Sequence, residues 1–585
     1  MNKAPERQGR SLVSVDVGSV NTRAQFFDIV EGRYRFLAAG VSPSTAGAPA
    51  FDVNVGVLDA LGQLQEFLGR TLISQKELHI SPENENGVGA NAVTTTFSGG
   101  PALKVAVVGL LDEVSLGSVK KLVHSSYSRV VENFSLTDRR KPESIIDAIC
   151  ATLPDLIVLA GGTNRGASRS VVRLANYLAL ALKLIPEKER PQVLFVGNEH
   201  LQEEIDNLLG ALTTLHHAAN VRPSLDMEYL EPAKQKLADI YFNIQAGKLR
   251  GLHELRALAE GQFLPSASAF GRVVRFLGTV IDPPKGILGI DLGAANTTVA
   301  SAFSGELQLR VFPELGMGSS LGGMITETHL SQIMRWIPFD LTEDAVLDYL
   351  YNKPLFPQTV PTTPEEMAIE QAAARQVMRL AIGKSLPLFP PEAIYPLPGT
   401  VPWFDRILVS GSTVARAPHQ EQSLLMILDA LQPVGIATIV LDQNNLASAV
   451  GASAQIDPLL AVQVLESNAF KNLGTVISPV GKARGGILMR IQMVRDGQKE
   501  PVIDIKEGSI QVIPLPPGKI ADLYVQPLQN VNIGLGPGRG GWVRRVVGGA
   551  FGLIIDARGR PIQVPGAFNR RQETLQAWMD ALGEF

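Results

Sequence analysis

The chain has 585 residues, of which 45% are hydrophobic and 19% are charged, and its formal net charge is −4. This composition supplies enough apolar side chains for several large cores and excludes extended disorder as the main state. The near-neutral charge excludes a general electrostatic attraction to nucleic acid or to an anionic membrane, so we do not expect nucleic-acid binding.

Short apolar runs flanked by glycine predict buried strands along most of the chain. In chain order these runs are 12–17, 102–110, 156–160, 193–196, 287–292, 407–409 and 438–441. Segments between them place apolar residues at steps of three and four, as at 168–185, which predicts helices. The order of strands and helices indicates an α/β fold.

The sequence pattern changes near residue 468, where short runs of β-branched residues separated by glycine begin. This pattern predicts a β-rich module over 468–569. Residues 570–585 follow with apolar residues on one helical face, which predicts a C-terminal helix that docks or mediates assembly. The α/β part is therefore followed by an all-β module and a terminal helix.

Two strand-turn segments of the α/β part match each other at a constant offset of 275. The identical pairs are Asp16 with Asp291, Gly18 with Gly293, Asn21 with Asn296, and Thr22 with Thr297. A second pair aligns 155–163 with 405–413 at an offset of 250. These repeats predict two duplicated lobes, at 11–285 and 286–460.

An Asp-x-Gly turn at a strand end lets backbone N–H groups approach a phosphate while the acid holds a metal ion. A single copy is as readily an ordinary β-turn. Two copies in matched positions favour nucleotide binding, with Asp16 and Asp291 facing each other and acting through Mg²⁺. The residues predicted to bind the nucleotide in these turns are Gly18, Ser19, Asn21, Thr22, Gly293, Asn296 and Thr297.

Further blocks follow in a fixed order: Ser-Gly-Gly-Pro at 98–101, Leu-Ala-Gly-Gly-Thr at 159–163, Pro-Glu-Leu-Gly-Met at 313–317 and Leu-Asp-Gln-Asn-Asn at 441–445. With the two turns, they resemble the glutamate mutase-associated MutL/GlmL family over about residues 11–455. That family is similar to actin, heat-shock chaperones and sugar kinases. The resemblance implies two actin-like (ribonuclease H-like) lobes around a nucleotide cleft.

The same resemblance implies an ATP- and Mg²⁺-dependent accessory factor that reactivates an adenosylcobalamin-dependent mutase. In this family pattern Asp16 organises the water shell of Mg²⁺, and Asp291 positions or deprotonates the attacking water. Gly411, Ser412 and Thr413 lie near the adenosine. Thr298 stands where the family usually has an acid, so we expect at most weak ATP hydrolysis.

Two other functions remain open on the sequence. The missing acid and the added β module are also typical of a non-catalytic actin-like scaffold that self-associates. A small-molecule kinase is the third possibility, although no motif identifies a base near an acceptor hydroxyl.

Cys150 is the single cysteine of the sequence, so no intramolecular disulfide forms. This favours the reducing cytoplasm as the location. The longest apolar stretch, 171–185, is interrupted by charged residues and is shorter than the roughly 18 residues of a spanning helix. We therefore expect no membrane span.

Overall fold

The computed structural model describes residues 11–73, 80, 88–260, 263–281, 285–481 and 484–583. The predicted C-terminal helix at 570–585 ends two residues beyond the described part. Within these ranges, no helix combines the length and apolar character needed to cross a membrane.

The strands fall into two lobe sheets, an inserted sheet and a C-terminal β region. They are β1 Leu12–Val17, β2 Asn21–Val30, β3 Arg33–Pro43, β4 Ala92–Phe97, β5 Leu103–Val108, β6 Ser128–Phe134, β7 Leu156–Leu159, β8 Gln192–Phe195, β9 Leu215–His217, β10 Leu264–Pro265, β11 Gly286–Leu292, β12 Thr297–Phe303, β13 Glu306–Phe312, β14 Phe404–Ser410, β15 Gly435–Leu441, β16 Lys471–Ser478, β17 Val480–Gly481, β18 Ile487–Arg495, β19 Gln498–Lys499, β20 Ile503–Lys506, β21 Ile510–Ile513, β22 Ile520–Pro527, β23 Val531–Asn532, β24 Gly541–Val547 and β25 Leu553–Asp556.

The helices cover the sheets and connect the strands. They are α1 Val53–Leu68, α2 Gly117–His124, α3 Pro142–Thr152, α4 Arg169–Leu184, α5 Gln202–Leu209, α6 Glu231–Ala246, α7 Leu252–Leu258, α8 Ser266–Thr279, α9 Leu321–Glu327, α10 Ser331–Met334, α11 Glu343–Asn352, α12 Pro364–Ser385, α13 Ser412–Ala415, α14 Gln420–Leu431, α15 Ala447–Ser453, α16 Pro458–Leu465 and α17 Phe568–Gly583.

The two lobes contain the same five-stranded arrangement. The first sheet has the order β10-β4-β1-β2-β3, and the second has the matching order β15-β14-β11-β12-β13. In each, an antiparallel three-strand meander is extended by two parallel strands. The predicted α/β class with two duplicated actin-like lobes is confirmed.

The second repeat pair proposed from the sequence is wrong. Strand β14, which carries 405–410, pairs in parallel with β11, and the strand that pairs in this way with β1 is β4. Residues 156–159 form β7 in a separate sheet. The alignment failed because an apolar strand followed by small residues is typical of any buried parallel strand.

That separate sheet is an insertion between β4 and β10 of the first lobe. Its five parallel strands have the order β6-β5-β7-β8-β9, and helices α3, α4 and α5 belong to the same unit. It has its own apolar core, which includes Ile157, Leu178 and Phe195. The predicted first lobe at 11–285 thus contains a second sheet within its span.

The predicted β module at 468–569 is rich in strands, but it is joined to the second lobe. Strands β16, β25 and β21 extend the second-lobe sheet beyond β15 to eight strands. Side chains of Ile477 and Leu553 on this extension pack with Met489 and Leu523 of the sheet containing β18 and β22. Helix α17 docks by Trp578 against the second-lobe core. The domain boundaries themselves stay predictions.

Two helices cross between the lobes. Helix α8 follows β10 of the first sheet and packs on β11 and β12 of the second, whereas α15 follows β15 and packs on β1 and β4. A Cβ at Gly451 on α15 would collide with the carbonyl oxygen of Ala269 on α8. This close crossing positions the ends of β1 and β11 beside each other.

Candidate functional site

The two matched sequence segments form the same backbone turn. The Gly18 amide donates to the Asn21 carbonyl at 2.9 Å, and the Gly293 amide donates to the Asn296 carbonyl at 2.9 Å. A Cβ would lie 2.9 Å from the Asn21 oxygen at Gly18 and 2.7 Å from the Asn296 oxygen at Gly293. Both glycines are therefore required by the closeness of the turn.

A serine hydroxyl supports each turn by a hydrogen bond to a turn carbonyl. The Ser44 hydroxyl donates to the Gly18 carbonyl at 2.6 Å, and the Ser320 hydroxyl donates to the Ala295 carbonyl at 2.6 Å. Both serines lie in the loop that follows the third strand of their lobe. These bonds engage turn carbonyl oxygens inside the protein, which holds the turns in place. Sequence reasoning missed both serines, since their spacing from the turns differs between the lobes.

Asp16 lies at the end of β1, where two hydroxyl groups contact its carboxylate. Its Oδ1 accepts hydrogen bonds from Thr96 Oγ1 at 2.6 Å and from Ser266 Oγ at 2.9 Å. Thr96 belongs to the neighbouring strand β4, and Ser266 begins the crossing helix α8. The predicted catalytic carboxylate is thus tied to the element that links the lobes.

Arg23 joins the two lobes directly. Its Nη1 lies 3.6 Å from Asp16 Oδ2, and its Nη2 donates to Ser412 Oγ at 2.9 Å. Ser412 stands in the predicted adenosine loop of the second lobe. Sequence reasoning missed Arg23. The repeat alignment contained a signal, because the residue that matches Arg23 at the offset of 275 is the uncharged Thr298, so the two turns differ in charge at this position.

Asp291, at the end of β11, lies near two other carboxylates. Burial, reinforced by the charges of Asp16 and Asp442, raises the pKa of Asp291 to about 7. Arg23 and a hydrogen bond from Ser410 oppose this rise. The predicted catalytic aspartates are therefore brought together, and Asp291 can exchange a proton near neutral pH.

Asp442 is a third carboxylate that sequence reasoning did not single out. It is fully buried after β15, and burial raises its pKa. It accepts from Ser410 Oγ at 3.0 Å and from the amides of Leu446 and Ala447 at 2.7 and 2.8 Å. It therefore anchors the start of α15. The available signal was an acid directly after a predicted strand.

The predicted adenosine loop lies beside Asp442. Gly411 has φ +113°, a backbone conformation that L side chains rarely adopt, and its amide donates to Asn445 Oδ1 at 3.2 Å. Ser412 is held by Arg23, and Thr413 is half-buried. The loop is thus joined to both lobes.

The remaining predicted residues differ in exposure. Ser19 and Asn21 are half-buried at the first turn, whereas Thr22 and Thr297 are fully buried. Asn296 is buried in the second turn. Their contacts with a ligand stay predictions.

The donor set fits a metal carried by a phosphate ligand better than a metal held by protein alone. No group of three or more His, Cys, Asp or Glu side chains in the described ranges could hold a metal ion. Mg²⁺ commonly takes one or two carboxylates, waters and phosphate oxygens. In addition, the buried Thr298 hydroxyl, opposite Asp291 in the β11–β12 pairing, finds no hydrogen-bond partner among described residues.

Several solved structures match this chain with low sequence identity and low TM-scores. Nucleotide-free acetone carboxylase is 11% identical with a TM-score of 0.32, covering 85% of this chain and 81% of that chain. A diol dehydratase-reactivating factor in nucleotide-free form is 12% identical with a TM-score of 0.29, covering 77% and 100%. The hexokinase of Thermus thermophilus is 11% identical with a TM-score of 0.24, covering 77% and 99%. At these TM-scores, we draw nothing about function from the similarity.

Among curated proteins, none matches the sequence. A family model described as MutL protein matches residues 12–469, which is more than half of the chain. This match includes both glycine turns, the loop at Gly411 and the three aspartates described above. The chain therefore belongs to the MutL protein family.

Proposed function

We propose that this protein is an ATP-dependent accessory factor that reactivates an adenosylcobalamin-dependent mutase. The observation that carries the nucleotide part is the pair of identical glycine turns, whose aspartates lie close enough for their charges to interact. The partner enzyme is inferred from membership of the MutL family and from the family resemblance. Nucleotide binding between the lobes would then change how they close on each other.

The backbone of the two turns would bind the phosphates, and Asp16 and Asp291 would hold Mg²⁺ through its water shell. When bound, Mg²⁺ would neutralise charge on the phosphate oxygens. The Asp291 carboxylate would accept a proton from the attacking water, since a pKa near 7 suits a general base at neutral pH.

Arg23 supplies the positive charge of this site. Its guanidinium contacts both Asp16 and Ser412, so it lies where the phosphate chain would pass between the lobes. Thr298 replaces the second acid of the family pattern, so hydrolysis would be slow. Slow hydrolysis suits a factor that acts through its conformational state. We place this activity in the cytoplasm, where the single cysteine would stay reduced.

Isothermal titration with Mg-ATP tests the nucleotide site. We expect wild type to bind, Gly293→Val to lose binding because its side chain closes the turn, and Asp291→Asn to bind without phosphate release. The exposed Asp226 provides a control, since Asp226→Asn should match wild type. No binding by wild type at millimolar nucleotide would overturn the proposal.

The partner is tested separately. An adenosylcobalamin-dependent mutase inactivated by turnover should regain activity with this protein and Mg-ATP, and should not with Asp291→Asn. Normal nucleotide binding without any recovery of the mutase would refute the reactivating role alone.

A further inference from the structure

A groove of about 1110 Å³ lies apart from the two glycine turns. Helices α2, α6 and α8 and strand β13 contribute residues to its lining. None of the residues of the two turns or of the Gly411 loop is among its lining residues. Among the described residues, seven cationic side chains line the groove: Lys120, Lys121, Lys234, Arg256, Arg272, Arg275 and Arg310.

Acidic partners compensate three of these cations. The ion pairs are Lys121–Glu228 at 3.0 Å, Lys234–Glu231 at 2.6 Å and Arg256–Asp239 at 3.6 Å. No carboxylate of the described residues lies within ion-pair distance of the four others, which are Lys120, Arg272, Arg275 and Arg310. The exposed Glu306 also lines the groove. The groove therefore carries an excess of positive charge.

Two of these four cations have buried N–H groups without acceptors, although the charge of Glu231 acts on Arg272 and that of Glu314 acts on Arg310. Arg272 Nη1 and Arg310 Nε find no hydrogen-bond partner among the described residues. Arg310 Nη1 donates to the Lys384 carbonyl at 2.7 Å, which fixes the side chain, while burial lowers the pKa of both arginines. Buried unpaired donors are rare in folded proteins and call for a partner such as a ligand.

The pKa of His124 reflects the positive charges around the groove. Burial, together with the smaller effect of the charges of Arg310, Lys120 and Lys384, lowers the pKa of His124 to about 4. The imidazole is therefore neutral at physiological pH and adds no charge of its own. Its surroundings would favour an anion in the groove.

The positions of the cations and the volume of the groove indicate a small ligand. Ser268, Arg272 and Arg275 share one face of α8, because they are spaced by four and three residues. Lys120 comes from a different helix, α2, so a bound anion would meet positive charge from more than one element of the lining. A concave groove of this volume is typical of small-molecule sites, whereas an extended nucleic acid needs an open charged surface.

We propose that this groove binds a phosphate-bearing small anion with two or more negative charges, at a site separate from the glycine turns. Helix α8 connects the two places, since its first residue, Ser266, donates to Asp16. An anion bound between α2, β13 and α8 would thus affect the candidate nucleotide site. The proposal does not depend on nucleotide binding.

Isothermal titration of the full-length chain with inorganic tripolyphosphate tests this site. To block binding at the glycine turns, the comparison is made in a Gly293→Val background. Adding Arg272→Gln and Arg310→Gln should weaken binding by about tenfold or more, because two charge-assisted contacts are lost. Adding Arg165→Gln, an exposed arginine outside the groove, should leave binding unchanged.

If Gly293→Val does not fold, the same arginine variants are compared in the wild-type background. The thermal unfolding midpoint of Arg272→Gln/Arg310→Gln is measured as the folding control, and we expect a cooperative transition with a modest decrease, since Arg310→Gln also loses the hydrogen bond to the Lys384 carbonyl. Equal tripolyphosphate binding with and without the two arginines would overturn the proposal, as would a lack of binding by wild type. Loss of Mg-ATP binding in Arg272→Gln/Arg310→Gln would also overturn it, because the groove would then belong to the nucleotide site.

Discussion

Asp291 shows how the surroundings of one residue set its chemistry. The repeat alignment gave it the same role as Asp16, but the two carboxylates have different partners. Asp16 accepts from two hydroxyls and faces Arg23, whereas Asp291 is partly buried near Asp16 and Asp442. Like charges and burial both disfavour ionisation, so Asp291 is the candidate for proton transfer.

We predict that ATP hydrolysis rises with pH and levels off at or below about 7, because a bound Mg²⁺ would lower the pKa of Asp291 from its metal-free value of about 7. On the acid side of the rise Asp291 is protonated and cannot accept a proton, and on the alkaline side the carboxylate is free to do so. Phosphate release measured across this range should show the rise in wild type. Asp405→Asn, at a partly exposed aspartate outside the site, should keep the same profile. A flat profile would contradict the role of Asp291.

At the scale of elements, the crossing of α8 and α15 joins the lobes. Each helix begins beside an aspartate of the site: Ser266 of α8 donates to Asp16, and Asp442 holds the start of α15. Small residues at the crossing bring the two backbones close together. The geometry of the site therefore depends on this helix contact.

We predict that Gly451→Ala lowers the free energy of unfolding by about 1–3 kcal/mol, because a methyl group overpacks the contact with Ala269. Urea unfolding measures the effect. Gly383→Ala is the matched control, since Gly383 lies in α12 with nothing near its Cβ position. The control should gain about 0.5–1 kcal/mol from helix propensity. Equal effects at both glycines would show that the crossing is loose.

A buried ion network ties β25 to the second lobe. Asp556 accepts from Arg558 Nε at 2.8 Å and from Arg560 Nη2 at 2.9 Å, and Arg558 Nη1 donates to Asp429 at 2.6 Å. Arg558 also lies over the ring of Trp578 on α17, 4.7 Å from its centroid. The network thus joins β25, α14 and the C-terminal helix.

We predict that Asp556→Asn lowers the free energy of unfolding by about 3–5 kcal/mol, because it leaves buried arginines uncompensated. Asp504→Asn breaks an exposed pair with Arg490 and should cost about 1 kcal/mol or less. Burial opposes ionisation of Asp556, but Arg558 and Arg560 outweigh it and hold its pKa well below the ordinary range. Its stabilising effect is therefore present above the unfolded pKa of 3.8 and is lost as pH falls below it. Denaturant unfolding near neutral pH and in acid checks both statements.

At the scale of the whole molecule, the second-lobe sheet continues into the C-terminal region. The family match ends at residue 469, directly before β16, yet β16 pairs along the full length of β15. Beyond β16 come β25 and β21. The region that follows the family match therefore completes the sheet of the second lobe.

We predict that a chain ending at residue 467 loses cooperative folding. Truncation would expose the edge of β15 and remove the core contacts of Ile477 and Leu553, and an unpaired apolar edge favours aggregation. Solubility and the thermal unfolding midpoint of the truncated chain check this. A soluble chain 1–467 with a wild-type midpoint would show that the C-terminal region is independent.

Features set by neighbouring residues were predictable from the sequence. Both glycine turns follow from local geometry, since an aspartate at a strand end and a close turn need only a few adjacent residues. The seven predicted strands are present, because continuous apolar runs need burial on both faces. The helix predicted at 168–185 also forms, as α4 over Arg169–Leu184.

Features set by distant residues needed the tertiary structure. Parallel strands are joined by connections of any length, so the sequence alone could not show that β4, and not β7, lies beside β1. For the same reason Arg23 and Asp442 were missed, since their roles come from Ser412 and from the carboxylates across the cleft. The sequence by itself determined the two turns and the class of fold. The tertiary structure decided which side chains meet there, because burial and charge act between elements far apart in the chain.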